Sequence, residues 1–351
     1  MIPRSIVRPI VALGVAFGLV GAGAGAASAC GGLVAPGHAE ALKGATTLAA
    51  WHAGYEHYVT GFEFAGLADS FGYIIPLPGV PSKIGKGGEW TLERLQGQIG
   101  EGPLSVKRLA FDAAGAAAPS VEVLQQVKID ALNITVVRGG GVDVAKWAAK
   151  NGFDLTRDAP SVLGRYSSSH AVFALARFDR ADAKSRGLIQ GQGEVIQFTI
   201  PLKAPWVPLR ILSLGKAGVE YVDAEVFVLT DHRPTFSPAI GSIDGMTVKA
   251  NGAAPPQMLS DLAGDTGMSW LPTSGMWFTA LKLRTTAATV TYDLSIDGGG
   301  PVGAPPAPVG SPLPVSLGWP FWMAMILGAG GLLLVARRER DRLRPATARI
   351  R

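Results

Sequence analysis

The densest cluster of chemically capable side chains is His52, Glu56 and His57, set in the aromatic-rich stretch from Trp51 to Tyr58. Two imidazoles and a carboxylate so close could ligate a divalent metal, and the letters approach the His-x-x-Glu-His pattern of inverted zincins. The spacing here is His-x-x-x-Glu-His. Ligands one turn apart need a helix, whereas Gly54 and the β-favouring aromatics predict a strand. On one continuous strand His52 and Glu56 would share a face and His57 would take the other. No metal or other cofactor is expected. The cluster reads better as a recognition surface, because tyrosine and tryptophan join an apolar body to a polar end. The candidate binding residues are Trp51, His52, Tyr55, His57 and Tyr58, with one or more of Trp51, Tyr55 and Tyr58 expected at the surface beside a histidine.

Other patterns offer less chemistry. Ser213 and Lys216 match the Ser-x-x-Lys of penicillin-recognising enzymes, but that chemistry needs a helix to bring lysine over serine. Here a strand is expected to end at Gly215, and no Lys-Thr-Gly follows. A Gly-x-Ser-x-Gly elbow, a phosphate-cradling loop and a dinucleotide glycine fingerprint are all missing. Asp223 and Glu225 alternate with Val222, Ala224, Val226 and Val228, which reads as the solvent face of a half-buried strand. Asn133-Ile134-Thr135 spells a glycosylation sequon, relevant only in a eukaryotic secretory route. No catalytic residue is assigned.

The elements that would position these residues are mostly strands. Period-two alternation runs from Tyr58 to Phe64, and similar runs occupy 171–178, 194–202, 209–214, 222–229, 277–283 and 289–296. Two short helices are predicted, over 90–99 and over 142–150, the second stopped by Asn151-Gly152. Residues 71–81 read as a buried strand with a rigid exit, because Pro76, Pro78 and Pro81 each remove a backbone donor. The expected class is α+β, β-rich, with mostly antiparallel sheets, a few short helices and one C-terminal transmembrane helix.

The two ends carry address signals. Residues 1–29 have Arg4 and Arg8, then an apolar run from Ile10, then Ala27-Ser28-Ala29, as a cleavable signal peptide does. A body over 30–296 is expected to follow, then a Pro/Gly-rich stalk over 297–316. The twenty residues that begin at Leu317 and end at Ala336 are uncharged, with Trp319 and Trp322 near the start and Arg337-Arg338 directly after. They predict a single membrane-spanning helix, the body outside and the basic tail of 337–351 in the cytoplasm. The tail holds seven Arg against Glu339 and Asp341, so the net charge of +5 sits at the ends and the body is slightly acidic. Nucleic acid is therefore not an expected partner. Cys30 is the only cysteine, so no internal disulfide forms, and its place at the expected cleavage point raises lipidation as one alternative. Leu313-Pro314-Val315-Ser316 raises another, attachment to the cell wall by a sortase.

Several segments in order resemble the bacterial family of domains of unknown function numbered 2330. They are Cys30-Gly31-Gly32, the Phe71 to Pro81 segment, Asn151-Gly152-Phe153, the stretch around Pro208-Leu209-Arg210, and Leu281-Lys282-Leu283-Arg284-Thr285. The resemblance implies an exported bacterial protein, often with a C-terminal membrane helix, and supplies no activity. The functional expectation is a non-enzymatic, membrane-anchored module that binds or scaffolds an envelope protein or polymer. The alternative is an envelope hydrolase whose site is assembled from distant residues.

Overall fold

A two-residue turn decides the geometry of the stretch around His52. In the computed structural model, which describes residues 32–34, 41–65, 72–100, 121–166, 171–179, 182, 185 and 195–300, strand β2 (Ala41–His52) reverses into β3 (Tyr55–Ala65). The turn residues Ala53 (φ +50°) and Gly54 (φ +85°) both occupy the left-handed region, the conformation a tight hairpin needs. The single strand expected over 51–58 is therefore a hairpin. His52 pairs with Tyr55, Trp51 with Glu56, Ala50 with His57 and Ala49 with Tyr58. The reversal puts His52, Tyr55 and His57 on one face and Trp51, Glu56 and Tyr58 on the other.

That hairpin lies in a seven-stranded sheet. Its other members are β5 (Lys83–Lys86), β9 (Ile196–Pro201), β11 (Tyr221–Thr230), β13 (Met246–Ala253) and β14 (Trp277–Thr286), in the order β13-β14-β11-β2-β3-β9-β5. All neighbours are antiparallel except β2 and β11. A five-stranded antiparallel sheet has β1 (Gly32–Val34), β4 (Gly72–Leu77), β8 (Val172–Phe178), β7 (Leu132–Arg138) and β6 (Glu122–Ile129) in that order across it. A small third sheet joins β10 (Trp206–Val207), β15 (Leu294–Ile296) and β12 (Phe236–Ser237).

The two large sheets pack face to face over one core. Tyr58, Phe198, Val222, Ala224, Val226 and Val228 from the larger sheet meet Tyr73, Ile75, Leu132, Ile134, Ala174 and Ala176 from the smaller. Helices cover both outer faces. On the smaller sheet, α2 (Gly141–Lys150) and α3 (Ala159–Gly164) bury Trp147, Val162 and Leu163 against Ile74, Phe173 and Leu175. On the larger, α1 (Glu89–Gln98) and α4 (Pro256–Ala263) bury Leu95, Met258, Leu259 and Leu262 against Leu48, Phe227 and Phe278. Arg94 of α1 reaches Asp261 of α4 at 2.9 Å. The result is four layers, helix, sheet, sheet, helix, which meets the expected β-rich, mostly antiparallel class with few short helices.

Covering both faces overturns one expectation. Asp223 and Glu225 do not face solvent: they are 5% and 2% exposed, because α1 lies over that side of β11. Glu225 accepts hydrogen bonds from Gln96 Nε2 (2.7 Å) and Thr46 Oγ1 (3.4 Å), and Lys282 Nζ sits 2.8 Å from Glu225 and 3.2 Å from Asp223. A buried carboxylate pair is tolerated only with such neutralisation.

A second correction concerns 209–214, read as a strand. Pro208 is followed by a right-handed turn at Leu209, and Arg210–Ser213 is a 3-10 helix. The turn is fixed by Arg210, whose backbone N–H, Nε and Nη2 all donate to the buried Asp293, while Tyr166 Oη donates to the same carboxylate. Short apolar runs do not reveal their period, and a long-range ion pair decides here. Similarly, of 289–296 only Leu294–Ile296 is strand. Of the proline-rich segment, Gly72–Leu77 is a buried strand in which Pro76 pairs with Phe173 of β8, and among the described residues β1 pairs with Gly72 to Ile74.

Among the described residues no helix is long and apolar enough to cross a membrane. The signal peptide expected over 1–29, Cys30, the apolar segment over 317–336 and the basic tail lie outside the described residues. So does the stalk beyond Gly300; at Asp297 the chain is still tied to the body, accepting from Thr235 N–H and Oγ1 at 2.8 Å each.

Candidate functional site

The hairpin distributes the five candidate residues among three environments. Tyr58 is 1% exposed in the core between the sheets. His57 is buried on the opposite face, flat against Trp270 with ring centroids 3.5 Å apart. Its Nδ1 lies 3.3 Å from Gln197 Nε2 and 3.4 Å from Thr199 Oγ1. Burial, with His52 and Lys83 nearby, pushes the His57 pKa down to about 4. The other three sit at the hairpin tip. Trp51 is half-buried and donates Nε1–H to the Leu202 carbonyl at 3.0 Å, His52 Nδ1 lies 2.7 Å from Asp231, and Tyr55 is 43% exposed. So Tyr55 is the exposed aromatic beside a histidine, while Tyr58 is not available to a partner.

Glu56 stands apart from both histidines. It is fully buried on the face away from them, where Oε1 accepts the Trp206 backbone N–H at 3.2 Å and, among the described residues, Oε2 has no hydrogen-bond partner. Burial pushes its pKa well above the usual carboxylate range, which favours the protonated form, a poor metal ligand. Among the described residues no three His, Cys, Asp or Glu are grouped to hold a metal ion. The exposed His52 and Asp231 have the geometry of a base and its orienting carboxylate. Among the described residues no hydroxyl or thiol bonds to the other ring nitrogen.

A concave feature of the body lies elsewhere, on the outer face of the five-stranded sheet. β6 and β7 form a tight hairpin through Asp130-Ala131, and β8 flanks β7. Register puts Lys128, Asn133 and Arg177 side by side across three strands, with Gln126 and Thr135 paired two residues along on the same face. The wall comes from the end of α2. Asn151 Nδ2 donates to the Trp147 carbonyl at 2.8 Å, the chain reverses at Gly152, and Phe153 folds back with its N–H on the Ala148 carbonyl. Phe153 can lie there because β4 has glycine beneath it: a Cβ on Gly72 would come within 2.6 Å of the ring.

Together these residues line a trough of about 510 Å³, with Gln126, Lys128, Asn133 and Thr135 along the floor and Trp147, Asn151, Phe153 and Arg177 at the wall. No carboxylate is among the lining residues. Lys128 has Asp182 at 3.4 Å, whereas among the described residues Arg177 makes one bond, to the Asn151 carbonyl at 3.5 Å. Among the described residues, the side chains of Gln126, Asn133 and Thr135 make no hydrogen bond. Sequence reading missed this set, although a signal was present: polar residues alternate at 126 and 128 and at 133 and 135, and the supposed glycosylation sequon is two of them.

With the geometry in place, comparison adds one relationship. A family model described as an uncharacterized protein conserved in bacteria, DUF2330, matches residues 24–262, well over half of the chain. The chain belongs to the DUF2330 family. The matched range takes in the whole trough of this DUF2330 protein, the β2–β3 hairpin and Asp231, while β14 and Lys282 lie beyond it. No curated protein and no solved structure matches the chain.

Proposed function

We propose that this DUF2330 protein is a binding module of the bacterial cell envelope: exported, held by the apolar segment that starts at Leu317, and recognising an envelope component in the trough between α2 and the five-stranded sheet. The observation that carries the reading is the trough itself. It gathers one arginine that among the described residues has no carboxylate partner and three polar side chains that among them have no internal partner, Gln126, Asn133 and Thr135, in a volume within the ~300–1,000 Å³ range of ligand sites. Polar groups left unpaired inside a concavity are groups that a ligand can satisfy. The lining carries amide, hydroxyl and cationic groups but no carboxylate, imidazole or thiol, a composition suited to holding a ligand more than to turning one over.

The test uses the full-length protein in its native membrane. Protease added to intact protoplasts is expected to remove the body and spare the peptide 337–351; protection of the body overturns the envelope placement. Crosslinked envelope material is expected to co-purify with the wild type and not with Thr135→Trp, which fills the trough. Recovery unchanged by Thr135→Trp but lost in Tyr55→Ala moves recognition to the hairpin tip, the second surface favoured by the exposure of Tyr55 beside His52.

A further inference from the structure

The trough has a chemical preference that its lining residues define. We infer that it takes an acidic polyhydroxylated polymer, a glycan or polyol chain bearing carboxylate or phosphate groups, with one acidic group seated on Arg177. This rests on the trough being the recognition site.

The argument begins with charge. The body as a whole is slightly acidic, yet two cations and no carboxylate line this concavity. Lys128 has Asp182 at 3.4 Å, so among the described residues the cation of the lining without a carboxylate partner is Arg177. Its planar fork matches a carboxylate or phosphate in a way that a point charge does not.

Next comes the company Arg177 keeps. Asn133 is its register partner, Lys128 lies one strand beyond, and Gln126 and Thr135 form a second row. Amides and hydroxyls both donate and accept, as the hydroxyls of a sugar or polyol do, whereas an apolar peptide side chain would find no matching pocket in these rows. Neighbouring strands are about 4.8 Å apart, so the row from Lys128 to Arg177 spans about 10 Å, long enough to meet more than one repeat unit of such a chain.

The shape favours a polymer over a free small molecule. Among the described residues β6 is the terminal strand of its sheet and no strand closes the trough on that side, so a long chain can run out over the edge. Trp147 and Phe153 are 6% and 8% exposed, which makes them a firm backing for the polar row and not stacking platforms.

The experiment titrates the full-length protein in detergent with three probes of similar length: an oligogalacturonate, a neutral oligogalactose and a poly(glycerol phosphate). Binding of one or both acidic probes is expected, weakening with added salt, and about 10- to 100-fold weaker in Arg177→Gln. Carboxylate and phosphate sources are separated by which acidic probe binds. Thr135→Trp should abolish binding, and an unchanged melting temperature in Arg177→Gln shows that the body is intact. Equal binding of the neutral probe, unaffected by Arg177→Gln, overturns the acidic preference while leaving the trough as the site. Binding of an acidic probe that survives Thr135→Trp overturns the trough as its location. Failure of all three probes, with envelope protein still co-purifying through the trough, replaces the polymer by a peptide partner and overturns the inference alone.

Discussion

His57 lies flat on Trp270, ring centroids 3.5 Å apart and planes 7° from parallel, at the side of the sheet that α1 and α4 cover. A neutral imidazole tolerates that position, and a charged one loses its hydration. The folded pKa of about 4 lies below the ordinary 6.5, so the unfolded chain binds this proton more readily. The stability His57 contributes is complete above pH 6.5 and lost as pH falls toward 4, at up to ~1.4 kcal/mol per pH unit for a single proton. Urea unfolding of His57→Phe at pH 4.5, 5.5 and 6.5 is expected to lack this rising contribution, so its stability should fall with pH relative to wild type. An identical slope in both proteins refutes the burial argument.

Glu56 has the opposite sign. Its folded pKa is raised above the ordinary 4.5, so the folded chain holds the proton more tightly. Its stabilising contribution is present at low pH and declines as pH rises above 4.5 toward the raised value. Glu56→Gln keeps the acceptor for Trp206 N–H and removes the titration, so it should gain stability over wild type as pH rises above 4.5. Between pH 4.5 and 6.5 the Glu56 and His57 slopes oppose each other. Wild type should therefore be flatter there than either single variant, which equilibrium unfolding of the three proteins measures directly.

Glu225 and Lys282 should behave as one unit. Each sits in the other's field at 2.8 Å with little solvent to take its place. Removing Glu225 alone leaves Lys282 beside Asp223 and empties the acceptor of Gln96, at an expected cost of ~3–5 kcal/mol. The double variant Glu225→Ala/Lys282→Ala should cost less than the two single losses added together, with a coupling of ~0.5–3 kcal/mol. Additive losses in a double-mutant cycle would show that the pair is incidental.

The aromatic residues of the hairpin separate by burial. Tyr58→Ala removes a core ring and is expected to lose ~3–5 kcal/mol, while Tyr55→Ala at the tip should stay within ~0.5 kcal/mol. Trp51→Ala falls between them because it loses half-buried packing and its bond to the Leu202 carbonyl. Thermal unfolding of the three variants gives the order, and equal losses at 55 and 58 would contradict the hairpin register.

Alternation made β3, β8, β9, β11 and β14 legible, and the Asn151-Gly152 stop placed the end of α2. What misled was the assumption that one sheet face meets water. Val222 and Val226 pointed correctly to the inner core, but nothing local to Glu225 announces a helix arriving from residue 89 with Gln96 aimed at it. The same limit hid the trough, because Lys128, Asn133 and Arg177 become neighbours only through register across three strands. The His52 cluster drew attention by its density in sequence, and Ala53-Gly54, the two residues that separate its members in space, is a weak turn signal beside Asn-Gly.

The parallel pairing of β2 with β11 has a consequence for synthesis and for engineering. Thr46 finds its partner Glu225 179 positions downstream, and all of the five-stranded sheet except β1 is made in between. The early hairpin must wait, one side unsatisfied, until the chain has built its other half, so assembly is slow to close and hard to divide. A cut anywhere between β3 and β11 strips strands from the larger sheet on both fragments. Studies of this protein by truncation should therefore remove the ends and leave 32–300 whole.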